Sequence, residues 1–228
     1  MEPLKVAKKY ERLILKLKDS VSGKSLSIEG GEGSGKGTLI ESLMLIFKHY
    51  NFNVLFTREP GGVKISEKIR DVIVDKSNTE MTPTTEMLLY AASRNQHLEE
   101  KVFPALNQGK FVIFDRFVDS SYIYQGFARG LGMDMVKTVN DIATKKFLPQ
   151  KTIILDIDPK IGLSRINNNG RETNRLDLES IEFHEKIRVG YEKLQKLYPD
   201  RISIIDASKS PSEVLEDTLK VILENFID

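Results

Sequence analysis

The chain of 228 residues predicts an α/β fold with a five-stranded parallel sheet and helices on both faces. Two observations predict it. Five short apolar runs recur along the chain, near-continuous rather than alternating, as strands buried on both faces require. Helix-patterned stretches separate them, which gives right-handed crossovers between parallel neighbours. A third observation places the site. In such sheets ligands sit at the carboxyl ends of strands, and the glycine loop, Arg58-Glu59-Pro60-Gly61-Gly62, Asp115-Arg116 and Asp158-Pro159 all fall there.

Residues 1–24 form an N-terminal extension with seven basic and three acidic side chains, a local +4 in a chain of net charge +1. Val6, Tyr10, Leu13 and Leu17 recur at helical spacing, so the extension reads as one basic amphipathic helix docked on the surface. Ser22-Gly23 ends it, and a single domain is expected over 25–228. Leu26-Ser27-Ile28 is the first strand. A helix over 39–50 leads to the second strand at 54–57. Helices over 64–75 and 83–108 precede the third strand, 111–114. The fourth strand is 152–155 and the fifth is 202–205, with a closing helix from about Ser212. Phe183, Ile187, Tyr191, Leu194 and Tyr198 form a core-facing stripe on the helix before the fifth strand. Asp177 is expected to cap that helix, His184 to lie at its surface, and His49 and His97 to lack partners for acid–base work.

Composition excludes several classes. The charge balance argues against a coat for nucleic acid or an acidic membrane. With no cysteine there are no disulfides, thiolate nucleophiles or cysteine-ligated metals, as suits a cytoplasmic protein. No apolar run approaches the ~18 residues of a membrane span.

Gly30-Gly31-Glu32-Gly33-Ser34-Gly35-Lys36-Gly37-Thr38 lies between the first strand and a helix, the context of a phosphate-cradling loop. Glycines let backbone amides approach an anion, and the helix amino terminus faces it. Lys36 adds a mobile positive charge for the outer phosphates. Gly37 stands where many such loops carry a metal-binding hydroxyl, and Thr38 follows one residue later. The K-G-T order resembles adenylate kinases, in which Mg²⁺ is held largely by phosphate oxygens and water.

A second phosphate needs a second site. Arg58 in Thr57-Arg58-Glu59-Pro60-Gly61-Gly62 is a planar fork suited to bidentate contact. Arg70 follows one helix later. Tyr90 and Arg94 are four apart on one helix face, where a ring and a guanidinium can meet a base.

Five blocks in order, GGEGSGKGT, TREPGG, ASRNQH, DRFVDSSYIYQG and NRLD, resemble the bacterial-type thymidylate kinase family of P-loop nucleoside monophosphate kinases. The resemblance spans about residues 25–225 and omits 1–24. It implies ATP and dTMP as substrates, Mg²⁺ with ATP, and a homodimer. By resemblance, Arg58 meets the acceptor phosphate, Tyr90 stacks on thymine, and Arg70, Arg94, Ser121 and Gln125 contact the nucleotide, Arg94 and Gln125 at the base. Tyr124 lies near the sugar, where it disfavours a 2′-hydroxyl. Asp115 organises the metal's water shell, Arg116 approaches the phosphates, and Glu32 sits near sugar and metal.

One branch of the family places an arginine in the loop at the position of Gly33. Here positive charge must come from elsewhere, and residues 165–177, with Arg165, Arg171 and Arg175, read as a mobile lid. Arg171 and Arg175 are the candidates for the transferring phosphoryl group. Two alternatives stay open: a kinase for another nucleoside monophosphate, and a nucleotide-binding regulatory protein without turnover.

Overall fold

The computed structural model describes residues 2–168 and 173–227. In chain order the elements are α1 (Glu2–Lys8), α2 (Glu11–Ser20), β1 (Ser25–Gly30), α3 (Lys36–His49), β2 (Val54–Arg58), α4 (Lys64–Val74) and α5 (Pro83–His97). A π-helical segment, Leu98–Val102, joins α5 to α6 (Phe103–Asn107). Then come β3 (Phe111–Asp115), α7 (Val118–Ser121), a second π-helical segment (Tyr122–Ala128) and α8 (Met133–Thr144). β4 (Lys151–Asp156), α9 (Pro159–Asn168), α10 (Ile181–Leu197), β5 (Ile202–Asp206) and α11 (Pro211–Phe226) complete the chain.

All five strands are parallel, in the order β2-β3-β1-β4-β5. Central β1 is buried at every residue, the consequence of helices on both faces. One core layer packs Ile28, Leu43, Ile46, Phe47, Phe111 and Phe226 beneath α3 and α11. The other packs Phe114, Phe117, Ile123, Ile187 and Leu194 beneath α5, α7 and α10. Local chemistry sets several boundaries. Thr82 caps α5 with Pro83 behind it, and Ser210 and Glu213 form a reciprocal capping box on α11.

The structure revises four expectations. The N-terminal extension is two helices, and the break falls at Lys9-Tyr10. Both of those side chains hold Glu216 of α11, Lys9 Nζ at 2.7 Å and Tyr10 OH at 2.8 Å. The buried apolar residues are Val6, Ala7, Ile14, Leu17 and Val21, whereas Leu13 of the expected stripe is exposed, because the break resets the helical phase. The single helix expected over 83–108 is divided: Pro104 lacks an N–H and crowds the preceding turn, and the π-helical segment precedes it. The cap of α10 is Ser180, which accepts from Phe183 N at 3.3 Å. Asp177 instead accepts from Asn174 N at 2.7 Å. His184 is buried, and its Nε2 meets no hydrogen-bond partner among the described residues.

Candidate active site

A cleft of about 630 Å³ runs along the carboxyl ends of the strands. It gathers residues from four loops and from the helices beside them, so it draws on almost the whole chain.

The glycine loop forms its floor. Gly33 has φ +68°, and a Cβ there would lie 2.0 Å from the carbonyl oxygen of Gly162 in α9. A Cβ on Gly162 would in turn meet the Glu32 carbonyl at 2.3 Å. Helix α9 therefore rests backbone to backbone on the loop, and an arginine at position 33 is sterically incompatible with it. Gly35 (φ +89°) turns the chain into α3. Lys36 Nζ donates to Gly30 O at 3.0 Å, Gly31 O at 2.9 Å and Ser34 Oγ at 3.3 Å. Burial, followed by the nearby Arg116, pushes its ammonium down to about 8. Gly37 and Thr38 open the helix, exposed toward the cleft.

The turn after β3 is the next wall. Arg116 adopts φ +64°, a strained conformation for a side-chain-bearing residue, and the contacts around it hold it there. Its N–H donates to Ile28 O at 3.0 Å and its Nη2 to Glu32 Oε1 at 2.6 Å. Tyr124 OH donates to the same Glu32 oxygen at 3.1 Å, with the guanidinium 5.1 Å over the Tyr124 ring. Asp115 lines the cleft beside them. Beneath the turn, buried Glu29 accepts from Phe117 N at 2.7 Å, Ser120 Oγ at 2.5 Å, Ser27 Oγ at 2.7 Å and Tyr191 OH at 3.2 Å. Glu29 thereby ties the turn after β3 to β1.

Arg58, Arg70, Tyr90, Arg94, Ser121 and Gln125 form a further stretch of the cleft wall. Arg58 Nη2 meets both oxygens of Glu67 at 2.9 and 2.8 Å, and Gly62 N donates to Glu67 at 2.7 Å. Arg70 donates to Pro60 O at 3.1 Å across a turn whose Glu59–Pro60 peptide is cis. Burial, then the charge of Arg58, lowers the Arg70 pKa. Tyr90 is partly buried, and burial followed by the neighbouring Glu86 carboxylate pushes its phenol up to about 12, so the ring is neutral.

Arg94 is more constrained than its position on a helix surface suggests. Its Nε donates to Glu59 at 2.7 Å, Nη1 to Ser121 Oγ at 3.0 Å and to Asn140, and Nη2 to Phe117 O at 3.3 Å. Glu59 also meets His97 Nδ1 at 3.0 Å, and His97 Nε2 pairs with Thr57 Oγ1 at 2.7 Å. His97 thus has two buried partners, although the sequence shows it no partner for acid–base work. They come from β2 and the turn after it, which no local spacing signals.

Arg175 does not line the cleft. Its Nε donates to Ile73 O at 2.9 Å and its Nη2 pairs with Glu86, so it is anchored against α4 and α5 rather than over the glycine loop. Arg171 lies outside the described residues. Arg165 does reach the cleft, donating to Ala207 O at 3.2 Å, next to Lys209. The roles of Glu29, Glu59, Glu67, Glu86 and the Ala207–Lys209 turn were missed from sequence. Only Glu86 left a signal: it precedes Tyr90 and Arg94 by four and eight residues, on the same face of α5.

A strand–loop–helix phosphate cradle facing paired guanidinium groups across one cleft, on a sheet of this order, defines a P-loop nucleoside monophosphate kinase. The family model for thymidylate kinase matches residues 28–218. A thymidylate kinase of Geobacillus sp. (strain WCH70) is 52% identical over 207 residues, 90% of this chain and 99% of the relative. One of Clostridium novyi (strain NT) is 50% identical over 196 residues, 86% of this chain and 96% of the relative. The crystal structure of thymidylate kinase from Ehrlichia chaffeensis superposes with a TM-score of 0.72 at 28% identity, covering 87% of this chain and 98% of that one. The chain belongs to the thymidylate kinase family.

Proposed function

We propose that the cleft transfers the γ-phosphoryl group of ATP to the phosphate of dTMP, giving dTDP and ADP. The observation that carries this reading is the opposition of Lys36 in the glycine loop and the Arg58–Arg70 pair on the walls of one cleft, with Arg116 tied to the loop through Glu32.

The donor triphosphate occupies the loop from Gly30 to Thr38, where its oxygens compete with the loop carbonyls for Lys36. Adenosine extends toward Arg165 and Lys209. The acceptor phosphate meets Arg58 and Arg70, the sugar lies by Tyr124 and Glu32, and the base stacks on Tyr90 beside Gln125 and Arg94, which Ser121 positions. An acceptor phosphate oxygen attacks the γ-phosphorus as the bond to the β–γ bridging oxygen breaks. That oxygen is already largely ionised at neutral pH, so alignment and positive charge do the catalysis and no strong base is required.

Among the described residues no cluster of three or more His, Asp or Glu forms a metal cage. Gly37 offers no hydroxyl, and Asp115 lies in the cleft with no hydrogen-bonded protein partner for its carboxylate among the described residues. This donor set fits a Mg²⁺ carried in on the nucleotide, with Asp115 receiving its water ligands, and the ion screens phosphate charge. Arg171 remains the proposed lid residue for the transferring group.

Residues 1–24 act as an accessory cover on α3 and α11, with the catalytic domain from residue 25. Exposed Leu88 on α5 and Met135 and Ile142 on α8 offer an apolar face for a homodimer. No described helix is long and apolar enough to cross a membrane, and the proposed location is cytoplasmic, with no nucleic-acid or membrane partner.

A coupled ADP-release assay across a panel of nucleoside monophosphates tests the reading. dTMP is expected to be the best acceptor, and a clear preference for dCMP or AMP overturns it.

A further inference from the structure

Glu86 lies in the first turn of α5, almost fully buried, where the helix amino terminus favours negative charge. Its Oε1 accepts from Gln125 Nε2 at 2.8 Å and from Arg129 Nε at 3.3 Å. Its Oε2 accepts from Arg129 Nη2 at 3.2 Å and from Arg175 Nη2. Two guanidinium groups from two other parts of the chain therefore hold this carboxylate in its ionised form. Burial alone would raise its pKa, but the charge of Arg129 and the hydrogen bonds from Gln125 and Arg175 leave it lowered.

An ionised carboxylate only accepts hydrogen bonds. It therefore dictates which end of the Gln125 amide faces it: the NH₂ group points at Glu86. The carbonyl oxygen, at the other end of the planar amide, accepts from no described protein group, and Gln125 lines the cleft. Tyr90 stands one helical turn beyond Glu86 on the same face of α5. A pyrimidine stacked there with its ring nitrogen N3 toward Gln125 meets that carbonyl oxygen. Thymine and uracil carry a hydrogen on N3. Cytosine carries a lone pair there, which would oppose the oxygen.

We propose that Glu86 is a positioning residue that sets base specificity, orienting Gln125 so that only a base with an N3–H donor is accepted. This rests on the acceptor site proposed above.

Glu86→Gln tests it, because an amide can present either end to Gln125 and allows it to turn. The ratio of kcat/KM for dTMP over dCMP is expected to fall by roughly tenfold or more. The ratio of dTMP over dUMP should not change, since both bases donate from N3. A purified variant that melts cooperatively and keeps the dTMP over dCMP ratio overturns the proposal, as does an equal change for all three acceptors. Loss of one partner from a buried charge cluster can prevent folding, so a second measurement uses the unaltered protein. Neutron diffraction of the deuterated enzyme with dTMP should place the Gln125 deuterons toward Glu86. Deuterons facing a base seated against Gln125 overturn the proposal alone. A base seated away from Gln125 overturns the acceptor-site reading and the proposal together.

Discussion

Arg58 is held at the cleft by its ion pair with Glu67 of α4, and its half-exposed guanidinium stays open to a second anion. Charge-assisted hydrogen bonds of this kind contribute about 1.5–3 kcal/mol. Arg58→Ala should therefore raise the KM for dTMP by about tenfold or more while the affinity for ATP, measured by calorimetry, stays within about twofold. Equal losses for both substrates would sink its acceptor role. Lys36 yields a pH prediction. Its pKa in the folded protein is lowered to about 8, so free protein loses this charge as pH rises through that value. Bound phosphates favour the charged form and raise the pKa again. ATP binding at about pH 9 should then take up a proton at Lys36, and at about pH 7 none is needed there. Calorimetry in buffers of different ionisation enthalpy measures the uptake, and Lys36→Met should abolish the difference between the two pH values. The sequence named Lys36, Arg58 and Arg116 because their motifs are local. It passed over Glu29, Glu59 and Glu67, whose partners come from other strands and turns.

At the scale of elements, the contact of α9 with the glycine loop couples that loop, the proposed donor site, to the helix that leads into the expected lid. Because two backbones meet, neither glycine tolerates a side chain. Gly162→Ala should displace the loop, and a misplacement of about 1 Å can lower kcat by roughly 10²-fold. Steady-state kinetics with unchanged kcat and KM for ATP would show that the contact is dispensable. The last helix offers a simpler test. Ser210→Ala removes the capping box of α11 and should cost about 1 kcal/mol, visible in thermal unfolding as a fall of about 2–4 °C in Tm for a chain of this size. Helix α11 also carries Glu216, the anchor for Lys9 and Tyr10. The hydrophobic period of residues 6–17 announced helix but not its interruption, because the break is held by a partner roughly 200 residues away.

At the scale of the molecule, the apolar faces of α5 and α8 lie beside each other, and Ile142 is 76% exposed. If that face joins two copies, sedimentation velocity should find a dimer for the full chain and a monomer for Ile142→Glu. A monomer in both would remove the homodimer from the proposal. The sequence by itself determined the order of strands along the chain, the fold class and the two motif blocks proposed to bind phosphate. Each of these is written in residues close together, as apolar runs, glycine spacings and short charged motifs. The tertiary structure alone decided which charges meet. It placed Arg175 against Glu86 rather than over the glycine loop, enclosed His97 between Thr57 and Glu59, buried His184, and turned the Gln125 amide N–H toward Glu86. The physical reason is range. Backbone conformation and apolar periodicity act over a few residues, whereas a buried charge must find its partner wherever the parallel crossovers deliver one.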